Sequence, residues 1–214
     1  MAVAFGHASS YGHDSATTAS WAHDATGDNF LIVSLCLRVA VTNISVTYNG
    51  VAMTQISANN NTYDYQYVYA LANPATGSNT VSASWTTSTY GAHTAGSFSG
   101  YDSTGTIATG TVPATTDDAV ATATVAANGI LAGFFGNPDG TAFMAVTQGT
   151  ERAESQSTDA STEGQSFGTN TGTGSVNVAW SRRAEVGSWI AVPLAPPVAT
   201  SGKNFPALTL LGVG

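Results

Sequence analysis

The chain predicts an all-β fold, a two-sheet sandwich of about ten to twelve antiparallel strands followed by an extended C-terminal arm. Three observations carry this reading. Apolar residues recur with period two rather than 3.6. Charged residues make up only 8% of the sequence, against about 25% in ordinary soluble domains. Ser, Thr, Asn and Gly stand where Lys and Glu would be, and such short side chains suit strand faces and turns better than helix interiors. A hydrophobic fraction of 43% over 214 residues is enough for the core of one large β domain.

Taken in order, residues 30–39 form a nearly continuous apolar run and read as a strand buried on both faces. Ile44-Ser-Val-Thr-Tyr48, Asn49-Gly50 and Val51-Ala-Met53 then read as a hairpin. Asn-Gly supplies two residues that accept positive φ, which a two-residue turn requires. That turn pairs Tyr48 with Val51 and Val46 with Met53, and places all four apolar side chains on one face. Tyr63, Tyr65, Tyr67 and Tyr69 alternate with Asp64, Gln66, Val68 and Ala70 in a further strand. After the turn at 73–77, Val81, Ala83 and Trp85 alternate with Ser82, Ser84 and Thr86. Residues 93–99, 119–125, 130–135, 141–147, 175–181 and 187–194 are the remaining strands, with Asn137-Pro-Asp-Gly140 as a tight turn between two of them. The polar stretch 149–174 reads as a long loop. Trp21, Trp85, Trp180 and Trp189, each flanked by small or apolar residues, are expected in the core.

The domain so defined covers residues 15–197, with an N-terminal segment 1–14 before it and an apolar arm 198–214 after it. Ala195-Pro-Pro197 stops the last strand. Phe205, Leu208, Leu210, Leu211 and Val213 then lie beyond a closed domain, where apolar side chains usually meet a partner; a last edge strand laid back on the sandwich is the plainer alternative.

Charge narrows the partners. With 13 Asp and Glu against 5 Lys and Arg, the formal net charge is −8. A polyanion would be repelled and would find few cations, so nucleic acid is not an expected partner. No stretch has the roughly 18–20 apolar residues of a membrane-spanning helix, and the N-terminus lacks the charged and apolar regions of a signal peptide. The lone Cys36, inside an apolar run, is expected as a buried thiol, which fits a chain made in a cytoplasm.

Chemistry is sparse. His7, His13 and His23, interleaved with Asp14, Asp24 and Asp28, and the distant His93 match no metal spacing; a period of two is expected to scatter them over both faces as surface or loop histidines. Gly96-Ser-Phe-Ser-Gly100 has Phe98 where a nucleophile elbow needs serine. The acids Asp117, Asp118, Glu151, Glu154, Asp159 and Glu163 fall in predicted loops, where solvated charge is the default. No catalytic residue, metal or cofactor is expected. The tyrosine ladder is the one site-like feature: an aromatic platform for sugars or a protein partner, or core packing.

Five stretches together carry a resemblance: Trp21-Ala-His-Asp-Ala-Thr-Gly-Asp-Asn-Phe-Leu-Ile-Val, Val46-Thr-Tyr-Asn-Gly-Val-Ala-Met-Thr, Tyr69-Ala-Leu-Ala-Asn-Pro-Ala-Thr-Gly-Ser-Asn-Thr-Val, Ala95-Gly-Ser-Phe-Ser-Gly-Tyr-Asp and Trp189-Ile-Ala-Val-Pro-Leu. Their order and spacing over residues 15–195 resemble the jelly-roll β-sandwich domains of tailed-phage virion proteins, and most of all the capsid decoration (cement) proteins. The resemblance implies a non-enzymatic protein on the outer capsid surface of a virion, often a homotrimer, whose partners are the major capsid protein and its own copies. The alternative it leaves open is a carbohydrate- or receptor-binding module of a tail fibre or surface protein, contacting host glycans.

Overall fold

The computed structural model describes residues 1–61, 64–112, 118–138, 145–157, 163–181 and 186–198. Its strands are β1 (Ala4–Asp24), β2 (Phe30–Leu37), β3 (Ser45–Tyr48), β4 (Val51–Ala52), β5 (Thr54–Asn60), β6 (Tyr65–Ala72) and β7 (Ser78–Ser99). The second half adds β8 (Ser103–Thr104), β9 (Ala108–Val112), β10 (Ala119–Asn137), β11 (Val146–Gln148), β12 (Thr150–Gln156), β13 (Gly164–Trp180) and β14 (Gly187–Ala195). They form two antiparallel seven-stranded sheets. The first runs β4-β3-β7-β2-β6-β5 with β1 on the free side of β7; the second runs β11-β13-β10-β14-β8, with β12 beside β13 and β9 beside β14. The fold is therefore the expected all-β sandwich.

Three apolar layers hold it. The middle one lies between the sheets, where Phe30, Ile32, Val68 and Phe98 meet Ile130, Phe134, Phe167, Ile190 and Val192. The other two fill the curl of each sheet: Leu31, Val33, Leu35, Tyr48, Tyr67, Tyr69, Val81 and Trp85 in the first, and Leu131, Phe135, Val176, Val178 and Trp180 in the second. This arrangement explains why β2 is buried at every position. Its even residues face the other sheet and its odd residues face the curl of its own.

Two pairs of long strands make the frame. β1 pairs with β7 from Ala4↔Ser99 to Asp24↔Ser78, with bulges near Phe5, His13 and Ala16. β10 pairs with β13 from Ala119↔Trp180 to Asn137↔Gly164, with one irregularity between Val125 and Gly129. The expected strands at 81–86 and 93–99 are thus one strand, as are those at 119–125 and 130–135. The N-terminal segment 1–14 enters the sheet as the start of β1.

The stretch 149–174, expected as a loop, instead carries β12 and the first half of β13. Gln165, Ser166, Phe167, Gly168 and Thr169 are all buried, because a ladder is made by the backbone and tolerates polar or absent side chains where its neighbours pack closely. At the 48–51 turn the expectation holds in register, with Tyr48↔Val51 paired, Asn49 and Gly50 at φ of 49° and 76°, and the Met53 N–H on the Val46 carbonyl at 2.9 Å. It fails for one side chain: Val51 is 53% exposed, because two-residue β4 is the sheet's edge and nothing covers it. Trp21, Trp85 and Trp180 are buried as expected, and Trp189 is half-buried against the second curl.

Candidate functional site

Two of the four ladder tyrosines, Tyr67 and Tyr69, are core rather than platform. Tyr67 and Tyr69 pack in the curl of the first sheet and Tyr65 lies half-buried against it, while Tyr63 lies outside the described residues. β6 sits between β2 and β5, so its tyrosine face is roofed by the curl, and burial pushes the Tyr69 hydroxyl up to about 12. The arm residues Phe205, Leu208, Leu210, Leu211 and Val213 also lie outside the described residues.

The histidines, expected at the surface, are mostly interior. His13, His23 and His93 are buried. Along β1 the odd positions Ala19, Trp21 and His23 turn inward with His13, and Asp14, Thr18, Ser20 and Ala22 turn out. The bulges keep these inward rings in step with β7. His13 Nε2 lies 2.9 Å from His93 Nε2. The His13 Nδ1–H donates to the Asp14 carbonyl, so His13 Nε2 is the acceptor and His93 the donor. Trp85 stacks on His13, and Trp21 on His93. A Cβ at Gly91 would press within 3 Å of both rings' atoms, with His13 Nε2 at 2.6 Å, so glycine makes room for the pair. Burial holds both imidazoles below their usual range, and His93 lies well below it because His13 adds to the effect.

Beside them, the Trp21 indole N–H donates to Ser9 Oγ at 3.0 Å, and Ser9 Oγ lies 2.8 Å from His23 Nδ1. Burial, helped by neighbouring His7, pushes His23 down to about 4. His7 Nδ1 and the Ser97 hydroxyl both donate to Asp28 Oδ2, at 3.0 and 2.6 Å. This end reaches water through the half-exposed side chains of His7 and Asp24.

A second polar group, not foreseen in the sequence, seals one end of the inter-sheet seam. Glu163, expected as a solvated loop acid, is fully buried with Asp64, Gln66 and Ser188. The Cys36 thiol donates to Glu163 Oε1 at 2.9 Å, and the Ser188 N–H donates to Asp64 Oδ2 at 3.0 Å. Burial pushes Asp64 up to about 7 and Glu163 well above its usual value. It also raises Cys36, with the two acids adding to the effect. Glu163 is therefore favoured as a neutral acid, while Asp64 changes charge near neutral pH. Next to them Ser34, Thr94 and Gln165 form a satisfied network, with Thr94 Oγ1 donating to Gln165 Oε1 and Gln165 Nε2 donating to Ser34 Oγ. Of the remaining acids, Glu151 is exposed and Glu154 half-buried on β12; Asp117 and Asp159 lie outside the described residues.

Among the described residues, no three of His, Cys, Asp and Glu converge to hold a metal ion. No family model, curated protein or solved structure matches the chain. What remains is the outer surface. Hollows open there beside Ala108 and Val125, Val3 and Asn128, and Thr18 and Ser82, and none is lined by a titratable side chain. On the four longest strands the exposed positions are Ser, Thr, Ala, Gly, Val and Asn, and Asp14 is the only charged residue among them. The arrangement buries its chemistry and displays long, uncharged, short-side-chain faces.

Proposed function

We propose that this protein is a structural component of a tailed-phage virion that covers the outer capsid surface through protein–protein contacts with the major capsid protein and its own copies, as a homotrimer. The observation that carries the reading is the exposed surface of β1, β7, β10 and β13, on which Asp14 is the one charged residue. Covering Ser, Thr, Ala and Gly fixes few rotamers and strips water from no charge. Such faces can lie against a lattice over a wide area at small entropic cost. The resemblance of residues 15–195 to capsid decoration domains points the same way. A net charge of −8 favours solubility when many copies are made at once. A glycan- or receptor-binding module is the weaker reading, since Tyr67 and Tyr69, two of the four tyrosines that motivated it, stand in the core.

Copy number separates the two. Quantitative mass spectrometry of purified particles is expected to count this chain in proportion to the major capsid protein. A count in proportion to tail fibres would reject the capsid reading.

A further inference from the structure

The second sheet has a gap. β10 is laddered to β13 along its whole length, but on its other side β14 pairs only from Ile130↔Leu194 to Gly136↔Ser188. Among the described residues, nothing is laddered to that side of Ala119–Val125. In an antiparallel strand alternate residues turn N–H and C=O toward each edge, so this half of β10 presents an open row of donors and acceptors. The end of this row, at Ala123–Val125, borders a groove of about 540 Å³. Gly105, Thr106 and Ala108 form one wall of it, residues 123–126 the other, and residues 193–195 one end. The groove prolongs the line of β14, and its walls are small and uncharged.

Directly after β14 the chain turns away from it. Pro196 and Pro197 follow β14 directly. Neither has an N–H to give to a ladder, and the next residue, Val198, is 87% exposed. The chain therefore leaves the sheet at the mouth of the groove. Beyond it, residues 199–214 hold Phe205, Leu208, Leu210, Leu211 and Val213 with one charged residue, Lys203. Leu208 and Leu210, like Leu211 and Val213, have the alternate spacing of a strand. At about 3.3 Å per residue, seven residues would line Ala119–Val125, and the segment is longer than that.

We infer that the groove beside the first half of β10 is the receptor for residues 199–214 of a second copy, which adds there as a strand. Main-chain hydrogen bonds supply the affinity and the small-residue walls select an apolar segment. Each copy gives one segment and takes one, so a closed ring satisfies every groove. The inference rests on the assembly reading above and names how copies join. Its test needs no capsid, so either can fail without the other.

Two full-length variants, Thr124→Cys and Leu208→Cys, are mixed and oxidised; the native Cys36 is buried and takes no part. A disulfide joining the two different chains is expected. A second full-length variant, Thr106→Trp, obstructs the groove from an exposed rim position and is expected to weaken self-association at least tenfold in sedimentation equilibrium. A disulfide that forms only within a chain carrying both cysteines would place the segment in its own groove and overturn exchange between copies. Unchanged association of Thr106→Trp, or a monomeric parent, would overturn the groove as the receptor.

Discussion

Buried acids and buried histidines sit in the same molecule, and they answer pH in opposite directions. Asp64 has a folded value of about 7, above the roughly 3.9 of an unfolded chain. Its contribution to stability is complete below about pH 4 and is lost as pH rises toward 7. His23 is held at about 4, below the unfolded value near 6.5. Its contribution is complete above pH 6.5 and is lost as pH falls toward 4, and the depressed His13 and His93 act in the same sense. The two slopes oppose each other between pH 4 and 7, so the parent should show a shallow profile there. Asp64→Asn keeps an acceptor for the Ser188 N–H and removes one slope. At pH 8 it should be more stable than the parent by roughly 1.4 kcal/mol per unit of displaced pKa. Near pH 4 the gain should vanish, and acidification should then reveal the histidine slope. Urea titrations at both values check this; equal stabilities at pH 8 would contradict the buried ionisation. The histidine pair can be read directly as well. Long-range ¹H–¹⁵N spectra near pH 7 should find His13 protonated on Nδ1 and His93 on Nε2. Little of this was legible from residue types. The buried residues of β1 are His13, Ala19, Trp21 and His23 rather than large aliphatics, and its bulges decide which of its residues turn inward.

At the scale of elements, turns and close approaches carry the specificity. Gly50 has φ of 76° with open space around its Cα, so Gly50→Val meets only the backbone penalty of about 1–2 kcal/mol for a side chain in the left-handed region. Gly12 is different. A Cβ there would run into the Gln156 carbonyl of β12, where the two sheets approach most closely, and backbone cannot swing aside as a side chain can. Gly12→Val should therefore cost more than Gly50→Val, and thermal melts of the two variants give the order. The reverse order would show that β1 and β12 can part without loss. Elements carried by apolar runs, aromatic alternation or turn residues were legible: β2, the 48–51 turn, β6 and β14. β1, β5, β9, β12 and most of β13 were not. Their residues are mostly Ser, Thr, Asn, Gly, Ala and His, with Glu, Arg and Gln on β12, and they produce no hydrophobic period to read.

Across the whole molecule, burial of the titratable clusters and exposure of uncharged strand faces belong to one design. Groups that cost most to desolvate are sealed once, during folding, and the surface left for partners can be covered with little further penalty. Introducing charge there should undo association without undoing the fold. Thr122 and Thr124 are exposed on β10, so Thr122→Lys with Thr124→Glu should leave the melting curve within about 0.5 kcal/mol of the parent while weakening attachment to particles. The measurement that bears most directly on the whole account is electron microscopy of capsids that lack this protein, after mixing with the purified chain. Regular density at symmetry-related positions on the outer surface, lost with the Thr122→Lys, Thr124→Glu variant, is the predicted result. Bare capsids beside a folded, uncharged-faced protein would contradict it.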